Sequence, residues 1–252
     1  MSTKLVKSKS GNVAITKWSD EMAKYAQEAA GSEQTPSGSF VSLRGGVLSF
    51  QGSPAKDNKA QVVILDNIYE NTLYTGKFDP ESPQPPSCYA FARDEKDLKP
   101  HEKASAPQHD QCSGCEHNVF GSAETGKGKA CKNTRRLALL SANGLSAQTV
   151  RDYDVLHLKI PVTSVKGWSY YVKGIATTLK RPPFGVVTEL AVVPDPKSQF
   201  RLVFTCVSPI DDAVMGAVME RRKEIMEQIA FPYPEASAAP KAKAAPSKAR
   251  KF

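Results

Sequence analysis

Four of the five cysteines fall in one polar stretch, at Cys88, Cys112, Cys115 and Cys131. A C-x-x-C pair lets two thiolates grip one ion from a tight turn, and two further thiolates close a tetrahedral structural site. Ser113 and Gly114 supply the turn, so the spacing predicts one structural Zn2+ held by these four residues. His101, His109 and His117 lie near enough in sequence to replace a thiolate, with His109 the foremost substitute. His117 could instead orient a ligand or stand exposed. An iron–sulfur cluster would use the same thiolates, but nothing else in the chain points to electron transfer. Free core thiols suit the polar surroundings poorly. Cys206, inside FRLVFTCVS, is expected to be an inert core residue.

The same stretch contains GSAETGK from Gly121, the first part of a phosphate-binding P-loop. A working P-loop follows a buried strand, opens a helix and ends in a hydroxyl that binds magnesium. Here the string follows a cysteine knuckle, Gly128 replaces the hydroxyl residue, and Cys131 comes three residues later. The expectation is therefore a flexible basic loop, carrying Lys127, Lys129 and Lys132, that returns to the last cysteine. No nucleotide cofactor is expected.

Aromatic and cationic residues interleave around this region. Single-stranded nucleic acid is held by stacking bases on rings while cations follow the phosphates. The candidates for DNA contact are Arg44, Tyr69, Tyr74 and Lys77, then Tyr89, Phe91 and Arg93, then Lys127, Lys129, Lys132, Arg135 and Arg136. For Phe50 and Phe120 a core role is at least as good a reading. Trp168 lies on an apolar helix face, and one of Tyr170 and Tyr171 is expected to be exposed.

These residues must be positioned by a folded body. The chain has 252 residues, 40% hydrophobic and 24% charged, which is enough apolar mass for a real core. Residues 19–31 read as a short helix, and 39–52 as a strand bent at Gly45-Gly46. Residues 60–76 read as a buried strand. From 77 to 132 the hydrophobic pattern lapses, which a compact domain tolerates only where something such as a metal imposes order. Regular pattern resumes at 135–142. A strand follows at 154–162, an amphipathic helix at 163–179, a hairpin at 184–193 and 200–208, and an amphipathic helix at 211–229.

Leaving out the cysteine region, the order is three strands, a helix and two strands. That is the order of an OB-fold, a five-stranded Greek-key β-barrel in the α+β range. The expected organisation is an N-terminal segment over 1–38 and an OB-fold core over 39–208 that includes a zinc-binding insertion at 77–132. A C-terminal helix over 209–230 and a disordered basic tail over 231–252 complete it.

The net charge is +8, and Lys241, Lys243, Lys248, Arg250 and Lys251 supply five of it with no acid among residues 240–252. Such a tail contacts polyanions or serves only as a solubilising end. Nothing resembles a secretory signal or a membrane-spanning run of ~18 apolar residues, so a cytoplasmic protein is expected, host-cytoplasmic if encoded by a phage.

With its PSCYAFAR, CSGCEHNVFGS and GKGKACKNTRRLALL segments, the chain resembles tailed-bacteriophage single-stranded DNA-binding proteins over residues 39–208. The resemblance implies a zinc-containing OB-fold that binds single-stranded DNA in replication or recombination. It departs from the family in two ways. Family tails of this type are acidic, whereas this one is basic and shares only the terminal Phe252; the best-known zinc member also uses a histidine ligand. Partners are expected to be single-stranded DNA and replication or transcription proteins, with no membrane. Two other functions fit the same residues: a zinc-containing transcription or RNA-polymerase accessory factor, and a DNA-contacting virion structural protein. An enzyme is not expected. No Ser/His/Asp set stands out, Asp211-Asp212 suits a helix start, and four thiolates would leave the metal no open position for water.

Overall fold

The computed structural model describes Met22, Tyr25 and residues 40–76 and 84–234. The chain divides into Met1–Gly38 and Ser39–Phe252. In the first unit Met22 and Tyr25 are helical and exposed; the rest of the helix expected over 19–31 lies outside the described residues, as do Lys77 and residues 235–252.

The second unit is a mixed α+β body dominated by an antiparallel sheet. Its strands are β1 (Ser49–Phe50), β2 (Ser53–Pro54), β3 (Lys59–Leu73), β4 (Cys88–Ala92), β5 (Lys132–Ser141), β6 (Leu156–Ile160), β7 (Val186–Asp195) and β8 (Gln199–Pro209). The helices are α1 (Ala147–Asp152), α2 (Val165–Thr178) and α3 (Asp212–Gln228). In the main sheet the order is β6-β5-β3-β7-β8, with β4 also paired to β3.

β3 is the spine. One of its edges pairs with β5 from Val62 to Thr72. It also pairs with β7 from Lys59 to Val63 and with β4 from Tyr69 to Leu73. The continuous apolar run Val62–Leu65 suits this place because alternate residues feed two cores. Val62 and Ile64 pack with Leu137, Leu139, Leu158 and Trp168 of α2 on one face. Val63 and Leu65 pack with Leu140, Val150 of α1, and Val218 and Ile225 of α3 on the other. Each such fully buried large side chain contributes about 1.5–3 kcal/mol. A bulge between Ile64 and Asp66 shifts the register of β3 against β5.

Two expectations need correction. Residues 40–52, the described part of the strand expected over 39–52, do not form one bent strand. Gly45 and Gly46 take φ of 61° and 75°, so the chain tightens into a 3-10 turn over Arg44–Gly46. Asn58 pins this turn, accepting from the Leu48 amide at 2.7 Å and donating to the Gly46 carbonyl at 2.7 Å. The expected barrel closure is also absent among the described pairings: β6 and β8 are the two ends of the sheet, and β6 instead forms a parallel bridge to Phe40 through His157. The hairpin of β7 and β8 forms as the sequence predicts, with Asp195 accepting from the backbone of Lys197 and Ser198 in the turn.

Candidate metal centre and nucleic-acid interface

The end of β3 brings the cysteines together. Leu73 pairs with Cys88 at the start of β4, and on the opposite edge Thr72 pairs with Lys132, the residue after Cys131. The first and last cysteines therefore flank one strand end. Cys112 and Cys115 approach on consecutive 3-10 turns, Cys112–Gly114 and Glu116–Asn118. The Cys112 amide donates to the Leu98 carbonyl at 3.0 Å, Asn118 Nδ2 to the Cys112 carbonyl at 2.7 Å, and the Cys131 amide to the His117 carbonyl at 2.9 Å. A Cβ at Gly114 would meet the ring of exposed His109 at 3.0 Å, so that ring would have to shift to admit one.

All four cysteines, with His109 and His117, line one cavity of about 20 Å³. The side chains are not drawn up as a finished cluster: among the described residues no three His, Cys, Asp or Glu stand grouped as metal ligands. Their electrostatics couple nonetheless. Burial, then repulsion from Cys88 and Cys115, pushes the Cys112 thiol up to about 11 against the help of the Asn71 amide. Burial, then Cys112, Cys88 and Cys115, pushes Cys131 up to about 12. Burial, followed by Cys115, also raises Cys88. His109 Nδ1 accepts from the Gln111 amide at 3.1 Å, and His117 Nε2 meets Gln108 Oε1 at 3.1 Å. His101 lies elsewhere, stacked on Tyr89.

On the other side of Cys131 lies an open groove of about 660 Å³. Lys127, Lys129, Lys132, Arg135 and Lys166 line it against a single carboxylate, Glu95. Phe120 stands at its edge, 80% exposed. Arg135 lies over the Tyr69 ring at 3.4 Å. Tyr170, one helical turn beyond Lys166, is exposed, while Tyr171 is held inside by Thr188 at 2.6 Å.

The remaining candidates do not join this groove. Arg44 is exposed in its turn, and Tyr74 is exposed with Lys159 near its ring. Arg136 is fully buried, pairing through Nε with Glu70, itself fully buried, at 2.7 Å. Its Nη1 donates to the carbonyls of Ile229 and Phe231, and Phe91 and Phe231 cover its guanidinium at 4.2 and 4.3 Å. Tyr89 is buried against Tyr233, and Phe91 stacks on the same ring. Arg93 is bound to Asp66 at 2.8 and 3.2 Å and to the Met226 carbonyl of α3 at 2.8 Å. The reading of Tyr89, Phe91 and Arg136 as strand contacts is therefore corrected, while the Arg93 side chain stays 42% exposed with its guanidinium held by Asp66. The residues that cover Tyr89, Phe91 and Arg136, namely Phe231 and Tyr233, belong to the segment expected to be a disordered tail. Tyr233 donates to Glu70, and Lys159 lies 3.2 Å from the same carboxylate. Burial alone would raise the Glu70 carboxyl, but Lys159 and Arg136 hold it below its ordinary value.

Sequence reasoning missed Lys166 and set Phe120 aside. In the string Phe120 merely precedes Lys127, Lys129 and Lys132; only the fold exposes its ring and places it beside a helix that carries Lys166. Comparison with protein-family models, with curated proteins and with solved structures finds no match.

Proposed function

We propose that this chain is a sequence-tolerant single-stranded DNA-binding protein of replication or recombination, with one structural Zn2+ setting the shape of its cysteine insertion. The observation that carries this reading is the groove: five cations, one acid and an exposed aromatic ring on a wall built by the cysteine loop itself. Cations that follow phosphates and rings that accept unpaired bases are what a sequence-independent strand site requires.

The donor set fits zinc. Four cysteines line one small cavity, and burial together with neighbouring cysteines raises the cost of ionising Cys88, Cys112 and Cys131 unless a cation enters among them. Ligands of such a site need not be drawn together before metal arrives, because binding and local folding are coupled. Cys88, Cys112, Cys115 and Cys131 would hold the ion, which would supply structural order and no chemistry. Support for an OB-fold comes from the pairings of β3 with β5, β5 with β6, β3 with β7 and β7 with β8, and from α2 lying between β6 and β7. Such pairings are ones that an OB barrel would use, with the cysteine region then lying between its first two strands.

The test is a binding titration with oligo-dT and with duplex DNA of the same length. Preference for the single strand is expected; equal or tighter binding to duplex overturns the proposal.

A further inference from the structure

Phe120 belongs to neither of the two apolar cores, and its ring is more open to solvent than any other large apolar side chain described. The loop that presents it is ordered by its own bonds. The Gly121 amide donates to the Gly128 carbonyl at 2.7 Å, and the Gly126 amide to the Ala123 carbonyl at 2.7 Å. The single Ser122 hydroxyl proton points to the Val119 carbonyl at 2.7 Å with the His117 carbonyl at 3.0 Å, and Oγ accepts from the Ala130 amide at 3.0 Å. Gly121, Gly126 and Gly128 all have positive φ, which lets so short a loop reverse. The ring is thus held outward by structure. Lys129 Nζ sits 5.3 Å from its centroid and is itself fixed by Asn118 Oδ1 at 3.1 Å.

A fixed, exposed ring beside a cationic groove calls for an occupant that is apolar and flat at one point and anionic along its length. An apolar peptide would leave the lysines unneutralised. A duplex would supply phosphates but keep its base faces stacked inside. An unpaired strand supplies both. Resting on the function proposed above, we propose that Phe120 is the stacking platform of the groove and the residue that makes it prefer single-stranded over duplex DNA. An unpaired base lies on the Phe120 ring, and the adjoining phosphates run past Lys127, Lys132 and Arg135 toward Lys166.

The experiment compares the full chain with its Phe120→Ala and Phe120→Trp variants, each titrated with labelled oligo-dT and with duplex of equal length. Because the ring is exposed and outside the cores, neither substitution disturbs folding. Base–aromatic stacking contributes enough that Phe120→Ala is expected to weaken oligo-dT binding roughly tenfold or more. Duplex affinity and the salt dependence stay unchanged, since no charge is removed. Phe120→Trp should restore the affinity, and the fluorescence of the introduced indole should be quenched as the strand saturates. Unchanged oligo-dT affinity in Phe120→Ala overturns the assignment while leaving the general function standing, as does an equal loss for both DNA forms. Absence of any single-strand binding by the wild type overturns both.

Discussion

At the scale of single residues, the chain separates its cations into two kinds. Lys127, Lys132 and Lys166 face an open groove, whereas Arg136 is fully enclosed by Glu70, four aromatic rings and two backbone carbonyls. An enclosed pair of this sort adds little net stability over a well-packed apolar pair, but breaking it strands the remaining charge. Arg136→Leu should therefore cost about 3–5 kcal/mol in urea unfolding. Lys132→Ala should stay within ~0.5 kcal/mol, and similar losses from the two would contradict this division. His157 gives the pH signature. Burial, then the nearby Arg136 charge, lowers its imidazole from the ordinary 6.5 to about 4, so the unfolded chain takes up this proton first. Stability from this group is complete above pH 6.5 and drains away as the pH falls toward 4. The lowered Glu70 carboxyl adds a further loss only below its ordinary 4.5. Thermal unfolding followed from pH 7 to 4.5 should show a falling midpoint, and His157→Gln should flatten that fall; an equally steep fall in the variant would contradict the assignment. Sequence alone shows the four cysteines because their spacing is a local pattern. It does not show the fate of Arg136, which depends on a C-terminal segment returning across β3, β5 and β6.

At the scale of elements, the cysteine loop has two faces. Cys131 lines both the thiol cavity and the groove, so whatever fixes that residue fixes the groove wall. Metal removal by a chelator, or Cys112→Ser, should loosen residues 111–131 and weaken strand binding together. The β3–β5 core should keep its protection, because its ladder and apolar packing do not involve the thiols. Hydrogen exchange before and after chelation checks this; unchanged protection in the loop with unchanged affinity would contradict it. Several elements were readable from pattern: α2 from its apolar stripe, β7 and β8 from paired β-rich runs, and β3 from its Val-Val-Ile-Leu core. Residues 39–52 misled because alternation suggests a strand, while two adjacent glycines at positive φ reverse the chain. The segment from Phe231 to Pro234 misled because its prolines suggest disorder. Its two aromatic rings nonetheless fill a site that only the folded sheet creates.

At the scale of the whole molecule, the central strands β3 and β5 are buried on both faces, leaving loops and sheet edges to meet a ligand. Among the described residues no helix is long and apolar enough to cross a membrane. The charge of +8 favours encounter with a polyanion of any kind, so net charge alone does not distinguish single strands from duplex. Under the proposed function that distinction would come from the groove, where the ring and the cations lie together. The most direct measurement is therefore oligo-dT and matched duplex binding, each at two salt concentrations. Each phosphate neutralised on a single strand contributes ~0.7 to the slope of log affinity against log salt. With most of the five groove cations engaged, the expected slope is about −3, with oligo-dT bound more tightly than duplex at both concentrations. Salt-insensitive binding, or a preference for duplex, would contradict the account.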